Sequence, residues 1–297
     1  MKFSTTFVTC LALASGVKAA PVATQHNGSH GAPMSALAMS EVGDAVNDRP
    51  SWGSSNWSGG VLQGSHSRTV TGTFTIPNIT MLYPGEPTNG THSVAVWVGI
   101  DGTHGCDTLL QTGVDLTMEK GIPKFKAWFE WIPGPSTDFD HELELSVGDS
   151  VTMTVTAMSK TGGIAMVENN SKGTSVNHTF ANETAELCLA NADWIVERWT
   201  LSSTHEDDSG RSHRHSTQVS PVDFDTLTFT NASATTANGS SLDACNARTE
   251  AVDIYENVVK DNQSSSRVQM ATTFDDSSIT VSYVRGDHVK RSSDRDD

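Results

Sequence analysis

The sequence predicts an all-β protein, a β-sandwich of two antiparallel sheets. Short runs of alternating apolar and polar residues recur, while apolar residues at helical spacing are scarce. Gly, Ser, Thr and Asn are abundant between the runs, and many short strands at regular spacing favour two packed sheets. All-β folds often exceed about 200 residues as one unit, so a chain of 297 residues fits one such domain with flanking segments.

The flanks separate by composition. Lys2 precedes an apolar run from Phe3 to about Ala14, and Val17-Lys18-Ala19-Ala20 offers a small-residue cleavage site. Residues 1–20 therefore read as an export signal. No other stretch approaches the roughly 18 apolar residues of a membrane span, so the mature chain is expected to be secreted and soluble. Residues 21–50 lack periodicity and carry Pro21, Pro33 and Pro50, as a propeptide or linker would. The ordered domain is expected over 51–284, followed by a charged, disordered tail at 285–297.

Along the domain, Asn56 to Leu62 opens the ordered part. Arg68 to Pro77 alternates strictly, with Val70, Gly72, Phe74 and Ile76 on one face and threonines on the other. Tyr83–Pro87 is a loop. Val94, Val96, Val98 and Ile100 then alternate with Ala95, Trp97 and Gly99, so Trp97 faces away from the aliphatic side. Leu109, Gln111, Gly113 and Asp115 share one face of the next strand. Over 123–133, Phe125, Ala127, Phe129 and Trp131 oppose Lys126, Trp128, Glu130 and Ile132. Asp138 to Met158 reads as two strands around a hairpin at Val147-Gly148-Asp149-Ser150. Further strands are expected near 163–168, 174–180, 192–199, 223–230, 251–259, 267–274 and 278–284. Residues 201–217 are polar and read as a mobile loop.

A net charge of −16 and a pI near 4.9 argue against nucleic acid or an anionic membrane as partner. They suit a protein working in acid. After loss of Cys10 with the signal, Cys106, Cys188 and Cys245 remain, an odd number for an oxidising compartment. Asn-x-Ser/Thr sequons are frequent, those at Asn56 and Asn169 among them, as in a glycoprotein. His205, His213 and His215 lie in a polar run better read as solvated than as a metal site.

Chemistry is most legible where carboxylates meet tryptophans. Glu130 lies two residues from Trp128, and Glu197 two from Trp199, each pair on one strand face. A carboxylate on a face shared with Ile195 and Trp199 is partly desolvated, which raises its pKa and suits proton transfer. The alternative for each is a sheet-edge glutamate paired with Lys126 or Arg198. Gln111 offers two N–H donors without charge.

Several motifs, taken in order, resemble the glutamic peptidases, or eqolisins, secreted acid endopeptidases known chiefly from fungi. They are Asn56-Trp57-Ser58-Gly59, Trp97-Val98-Gly99-Ile100-Asp101-Gly102, Leu110-Gln111-Thr112-Gly113-Val114-Asp115, Ala127-Trp128-Phe129-Glu130-Trp131, Asn191–Glu197 and Ser220–Phe224. The resemblance implies a concanavalin-like sandwich whose concave face holds a catalytic dyad, here Gln111 and Glu197. It implies a cleft lined by Trp57, Trp97, Asp101, Asp115, Trp128, Glu130 and Trp199. It also implies a disulfide between Cys106 and Cys188, polypeptide substrates, no metal or cofactor, a monomer and an acid optimum. The chain departs from the family pattern at Ile132, where a tyrosine is usual, and at Arg198, where an acid is usual. Residues 21–50 hold Arg49 against Glu41, Asp44 and Asp48, unlike the basic propeptides of the family. Two other classes stay open on the residues alone: a glycan-binding sandwich, or a glycosidase using Glu130 and Glu197 about 5–9.5 Å apart.

Overall fold

The structure, a computed structural model, describes residues 49–81, 91–141, 143–206, 212–260 and 263–285, with backbone alone at 201–206, 212–216, 257–260 and 263–265. The expected export signal, nearly all of residues 21–50, the Tyr83–Pro87 loop and the tail beyond Arg285 lie outside the described residues.

Strands are the only regular elements among the described residues. In chain order they begin with β1 (Ser51–Ser54), β2 (Trp57–Gln63), β3 (Ser67–Thr75), β4 (Thr91–Asp101), β5 (Leu109–Glu119) and β6 (Ile122–Ile132). Next come β7 (Thr137–Asp138), β8 (Ser150–Ser159), β9 (Gly162–Asn169), β10 (Thr174–Ala181), β11 (Asn191–Arg198) and β12 (Thr200–Glu206). The last are β13 (Ser212–Gln218), β14 (Thr226–Thr236), β15 (Ser241–Asp243), β16 (Thr249–Lys260), β17 (Gln263–Phe274) and β18 (Ile279–Tyr283).

Hydrogen bonding runs β10-β9-β8-β3-β14-β18-β17-β16-β2-β11-β4-β5-β6-β7, with β1 beside β16 and β15 beside β14. The two expected layers are thus one ladder folded over at β14. Its first half, Thr226 to Phe229, pairs with β18, and its second, from Thr230, pairs with β3. Between them the register slips at Thr230/Ser233, and Asn231 takes a φ of 49°. A bulge of this kind bends a strand and lets it serve both layers of a sandwich.

Alternation then sorts side chains between two environments. Val94, Val96, Val98 and Ile100 of β4 are fully buried and join Val70 and Phe74 of β3 and Val151, Met153 and Val155 of β8 in the inter-sheet core. Each such side chain stabilises by about 1.5–3 kcal/mol. The opposite face of β4 contributes Ala95 and Trp97 to a second cluster with Trp57, Val61, Leu109, Trp128, Ile195 and Val252. This second face carries the candidate chemistry.

Two expectations on strands are corrected. Asp138 to Met158 is not two strands around a hairpin. After the two-residue β7 the chain is irregular up to β8. The polar groups there are met by turns instead: Asp149 Oδ2 accepts from the Ser146 amide and from Asn169 Nδ2, and the Gly148 amide donates to Ile76. Of the 201–217 segment expected as a loop, residues 201–206 and 212–217 pair their backbones as β12 and β13, from Thr200↔Gln218 to Glu206↔Ser212. A ribbon polar but for Leu201 carries no apolar alternation, so its pairing leaves no period in the sequence.

Candidate active site

The register of four strands builds the site. Gln111 on β5 stands opposite Glu130 on β6 and Gly99 on β4. Glu197 on β11 stands opposite Trp57 on β2 and Ala95 on β4, which itself faces Asp115 on β5. Directly opposed residues share a face, so Trp57, Trp97, Gln111, Asp115, Trp128, Glu130 and Glu197 all fall on the second face. Gly113 makes room there. A Cβ at this position would stand 2.3 Å from the Val96 carbonyl, 2.6 Å from Trp97 Cβ and 2.9 Å from Trp128 Cζ2. Contacts that close do not occur, so only glycine lets the two indoles flank the centre of β5.

Glu197 is fully buried and held at both oxygens. Oε2 accepts from Trp97 Nε1 at 2.9 Å, and Oε1 from Asn56 Nδ2 at 3.2 Å. Trp97 is in turn set by an edge contact with Trp57, ring centroids 4.8 Å apart. Gln111 Nε2 donates to Glu130 Oε2 at 2.7 Å, while Gln111 Oε1 is buried without a hydrogen-bond partner. Burial, first, and the Glu197 charge, second, push the Glu130 carboxyl well above the usual carboxylate range. Asp115 adds to this, and bonds from Gln111 and the Ser136 amide oppose it. Glu130 thus touches Gln111 through a hydrogen bond and feels Glu197 through space. At the margin, Trp199 Nε1 donates to Asp115 Oδ1 at 3.1 Å.

Asp101 lies on the same face at the end of β4, opposite Leu109, with its carboxylate turned to backbone amides. Its Oδ2 accepts from the Leu189 amide at 2.7 Å, and its Oδ1 from Ala190 at 2.7 Å and Asn191 at 3.2 Å. It anchors the segment leading into β11. That segment also carries Cys188, bonded to Cys106 as the resemblance implies, with a Cα–Cα distance of 6.2 Å. The Asp101 carboxylate lies within 4.8 Å of both sulfurs, but a disulfide leaves no thiolate for a metal. Ile132 packs against the tryptophan cluster where the family usually has a hydroxyl. Arg198 alternates to the face away from Glu197. Burial pulls its guanidinium pKa down, while Glu256 and Tyr283 oppose this.

Asn56 is the functional neighbour that sequence reasoning passed over, reading it as an opening motif and a sequon. At 1 % exposure it faces inward to Glu197, so it offers no glycan acceptor in the folded chain. Its position one residue before Trp57 was the available signal.

The sequence pattern described as the Peptidase A4 family matches residues 55–283, nearly the whole of the sandwich. The chain belongs to this family. Among Peptidase A4 relatives, aspergillopepsin-2 of Aspergillus niger is 38% identical over 246 residues, 78% of each chain. Scytalidopepsin B of Scytalidium lignicola is 38% identical over 164 residues, 55% of this chain and 59% of that one. The fold is shared with scytalido-glutamic peptidase solved with a transition state analog inhibitor, at a TM-score of 0.58 and 31% identity, covering 77% of this chain and 98% of that chain. It is shared too with an eqolisin, SCP-B, solved with the tripeptide Ala-Ile-His, at a TM-score of 0.55 and 29% identity. The chain is accordingly a glutamic peptidase, a hydrolase acting on polypeptides. Family membership decides against the glycan-binding and glycosidase alternatives. No helix among the described residues is long and apolar enough to cross a membrane.

Proposed function

We propose that this glutamic peptidase is a secreted acid endopeptidase in which Glu197 and Gln111 form the catalytic dyad. The observation that carries the reading is the double link through Glu130, hydrogen-bonded to Gln111 and raised by the charge of Glu197. It ties the amide and the carboxylate to one site on the tryptophan-lined face.

In this reading ionised Glu197 takes a proton from a water lying between it and the scissile carbonyl. Gln111 donates an amide N–H to the oxyanion of the tetrahedral intermediate. Glu197 then passes its proton to the leaving amine, so proton count and charge close over the cycle. General acid–base help supplies roughly 10²–10⁴-fold, and one oxyanion donor about 10²–10³-fold. The indoles of Trp57, Trp97 and Trp128, all fully buried, pack beneath the dyad and set the shape of its face. Trp97 and Asn56 hold the Glu197 carboxylate in place through its two oxygens.

Residues 1–20 serve as the export signal and the following segment as a propeptide. Arg49 belongs to the folded body: its guanidinium donates to the Cys245 and Asn246 carbonyls and lies 4.6 Å over the Phe274 ring. A cut before Arg49 would keep these contacts in the mature chain.

The test is digestion of a denatured protein at about pH 3 and pH 7 by the processed chain and its Glu197→Gln variant, read by mass spectrometry. Peptides released at pH 3 by the wild type alone are expected. Equal release by both proteins would remove the dyad assignment, and greater release at pH 7 than at pH 3 would remove the acid optimum.

A further inference from the structure

One buried acid plays no part in the proposed chemistry. Asp193 stands within β11, four residues before Glu197 and on the same face, opposite Val61 of β2 and Gly99 of β4. It is fully buried, and neither Oδ1 nor Oδ2 has a hydrogen-bond partner. Its surroundings on that face are the apolar cluster of Val61, Leu109, Trp97 and Ile195. A Cβ at Gly99 would stand 2.9 Å from Leu109 and 3.0 Å from Trp97, so those two side chains fill the space toward Gln111.

Among the described residues no cation is placed to neutralise a charge here. Asp101, one pleat further along β4, is acidic itself and has both oxygens engaged by three backbone amides. Burial, first, and that Asp101 charge, second, drive the Asp193 carboxyl well above the usual range. Across Val61 lies Glu250 of β16, held by Trp52 and paired with His104. Glu197 is the remaining acid on the strand face. An ionised Asp193 would be a carboxylate in an apolar wall with no donor, which a fold avoids by keeping the proton.

We propose that Asp193 is a proton-held pin in the strand that carries Glu197. β11 keeps its place while the carboxyl is protonated, and ionisation toward neutral pH unseats the strand and displaces Glu197 with it. The pin is a property of the fold and rests on no step of the peptidase reading, so either can fail alone.

The sign follows from linkage. In the unfolded chain an aspartate ionises near about pH 3.9, whereas the folded carboxyl holds its proton far longer. The contribution of Asp193 is therefore complete below the unfolded value and lost as pH rises toward the folded one. Each pH unit in that window raises the unfolding constant about tenfold.

The experiment follows the full chain and its Asp193→Asn and Asp193→Val variants by tryptophan fluorescence and far-UV circular dichroism from pH 3 to 9. The neutral-side midpoint of structure loss is expected to move up by about one pH unit in both variants. Turnover at pH 3–4 should stay within about threefold of wild type. Glu130→Gln, removing a second raised acid, should add its own separate shift. An unmoved midpoint in both Asp193 variants overturns the pin. Should neither variant fold, infrared spectra of the Glu130→Gln/Asp253→Asn double variant just below its own midpoint decide, since burial raises Asp253 as well, to about 6. A persisting band of a protonated buried carboxyl supports the pin, and its absence overturns it.

Discussion

Gln111 donates its amide N–H to Glu130 across 2.7 Å, and both side chains are closed to solvent. The bond has two possible senses. An ionised Glu130 can only accept, which turns Gln111 Nε2 toward it. A protonated Glu130 can donate to Gln111 Oε1, the buried oxygen that lacks a partner here, and so release both amide N–H groups toward an oxyanion. The raised Glu130 carboxyl makes the second state the one populated in acid.

Glu130→Gln should therefore retain activity in acid, since its amide reproduces a donor to Gln111 Oε1. Its neutral-side decline should lie at higher pH than in wild type. Glu130→Ala should lower kcat by about 10²-fold with a smaller change in KM, because Gln111 loses its orienting partner. Rate profiles from pH 2 to 8 check this. Equal loss in both variants would mean that the carboxyl acts by its charge.

Trp97→Phe removes the indole donor from Glu197 Oε2. A carboxylate that loses a donor gains a proton more readily. The acid limb of kcat/KM should then move up by about one pH unit, since a hydrogen bond to a charged group is worth about 1.5–3 kcal/mol and one unit corresponds to about 1.4. An unshifted limb with reduced turnover would assign Trp97 to substrate contact alone.

The faces of β4, β5 and β6 were legible because a pleat of period 2 links neighbouring residues directly. Trp97 opposite its strand's aliphatic side, Gln111 with Asp115, and Trp128 with Glu130 could be paired within each strand from spacing alone, and the register between strands then brings these faces together. Residues whose role depends on distant partners were not legible. Asn56 meets Glu197 from 141 positions away, and Asp101 meets the Leu189 amide from 88. An alternating pattern gives the side of a strand and says nothing of what crosses over it. For the same reason Asp193 read as one more polar residue in a motif. Its buried position emerges only when β2 and β4 close on either side of it.

Asp101→Asn should lower stability while sparing chemistry. The three amides of Leu189, Ala190 and Asn191 lose a charged acceptor, and one of them meets an N–H in its place. A loss of about 3 kcal/mol is expected from urea unfolding at pH 4. Turnover at low denaturant should change by less than about threefold. The opposite outcome, large loss of turnover at full stability, would give Asp101 a part in the chemistry.

Cys106 and Cys188 close a loop of 82 residues, and Cys188 lies one residue before the first amide that Asp101 holds. The bond and the carboxylate thus fix the same segment, and that segment sets where β11 begins. In the chain-entropy account, a loop of this length adds about 4.5 kcal/mol by restricting the unfolded chain. Cys245 is half-buried. Its Sγ donates to the Ser278 carbonyl at 3.3 Å, and burial, with Asp243 adding to it, pushes its thiol up to about 11. The thiolate is the reactive form, so Cys245 should resist alkylation at pH 7 in the native state and react once the chain unfolds. Peptide mapping of non-reduced protein should yield the Cys106–Cys188 pair and a free Cys245. Cys106→Ala/Cys188→Ala should cost about 4.5 kcal/mol in urea unfolding, and its loss should not add fully to that of Asp101→Asn, because both act on one segment. Full additivity, or Cys245 recovered in a bridge with either partner, would separate the disulfide from the anchoring of β11.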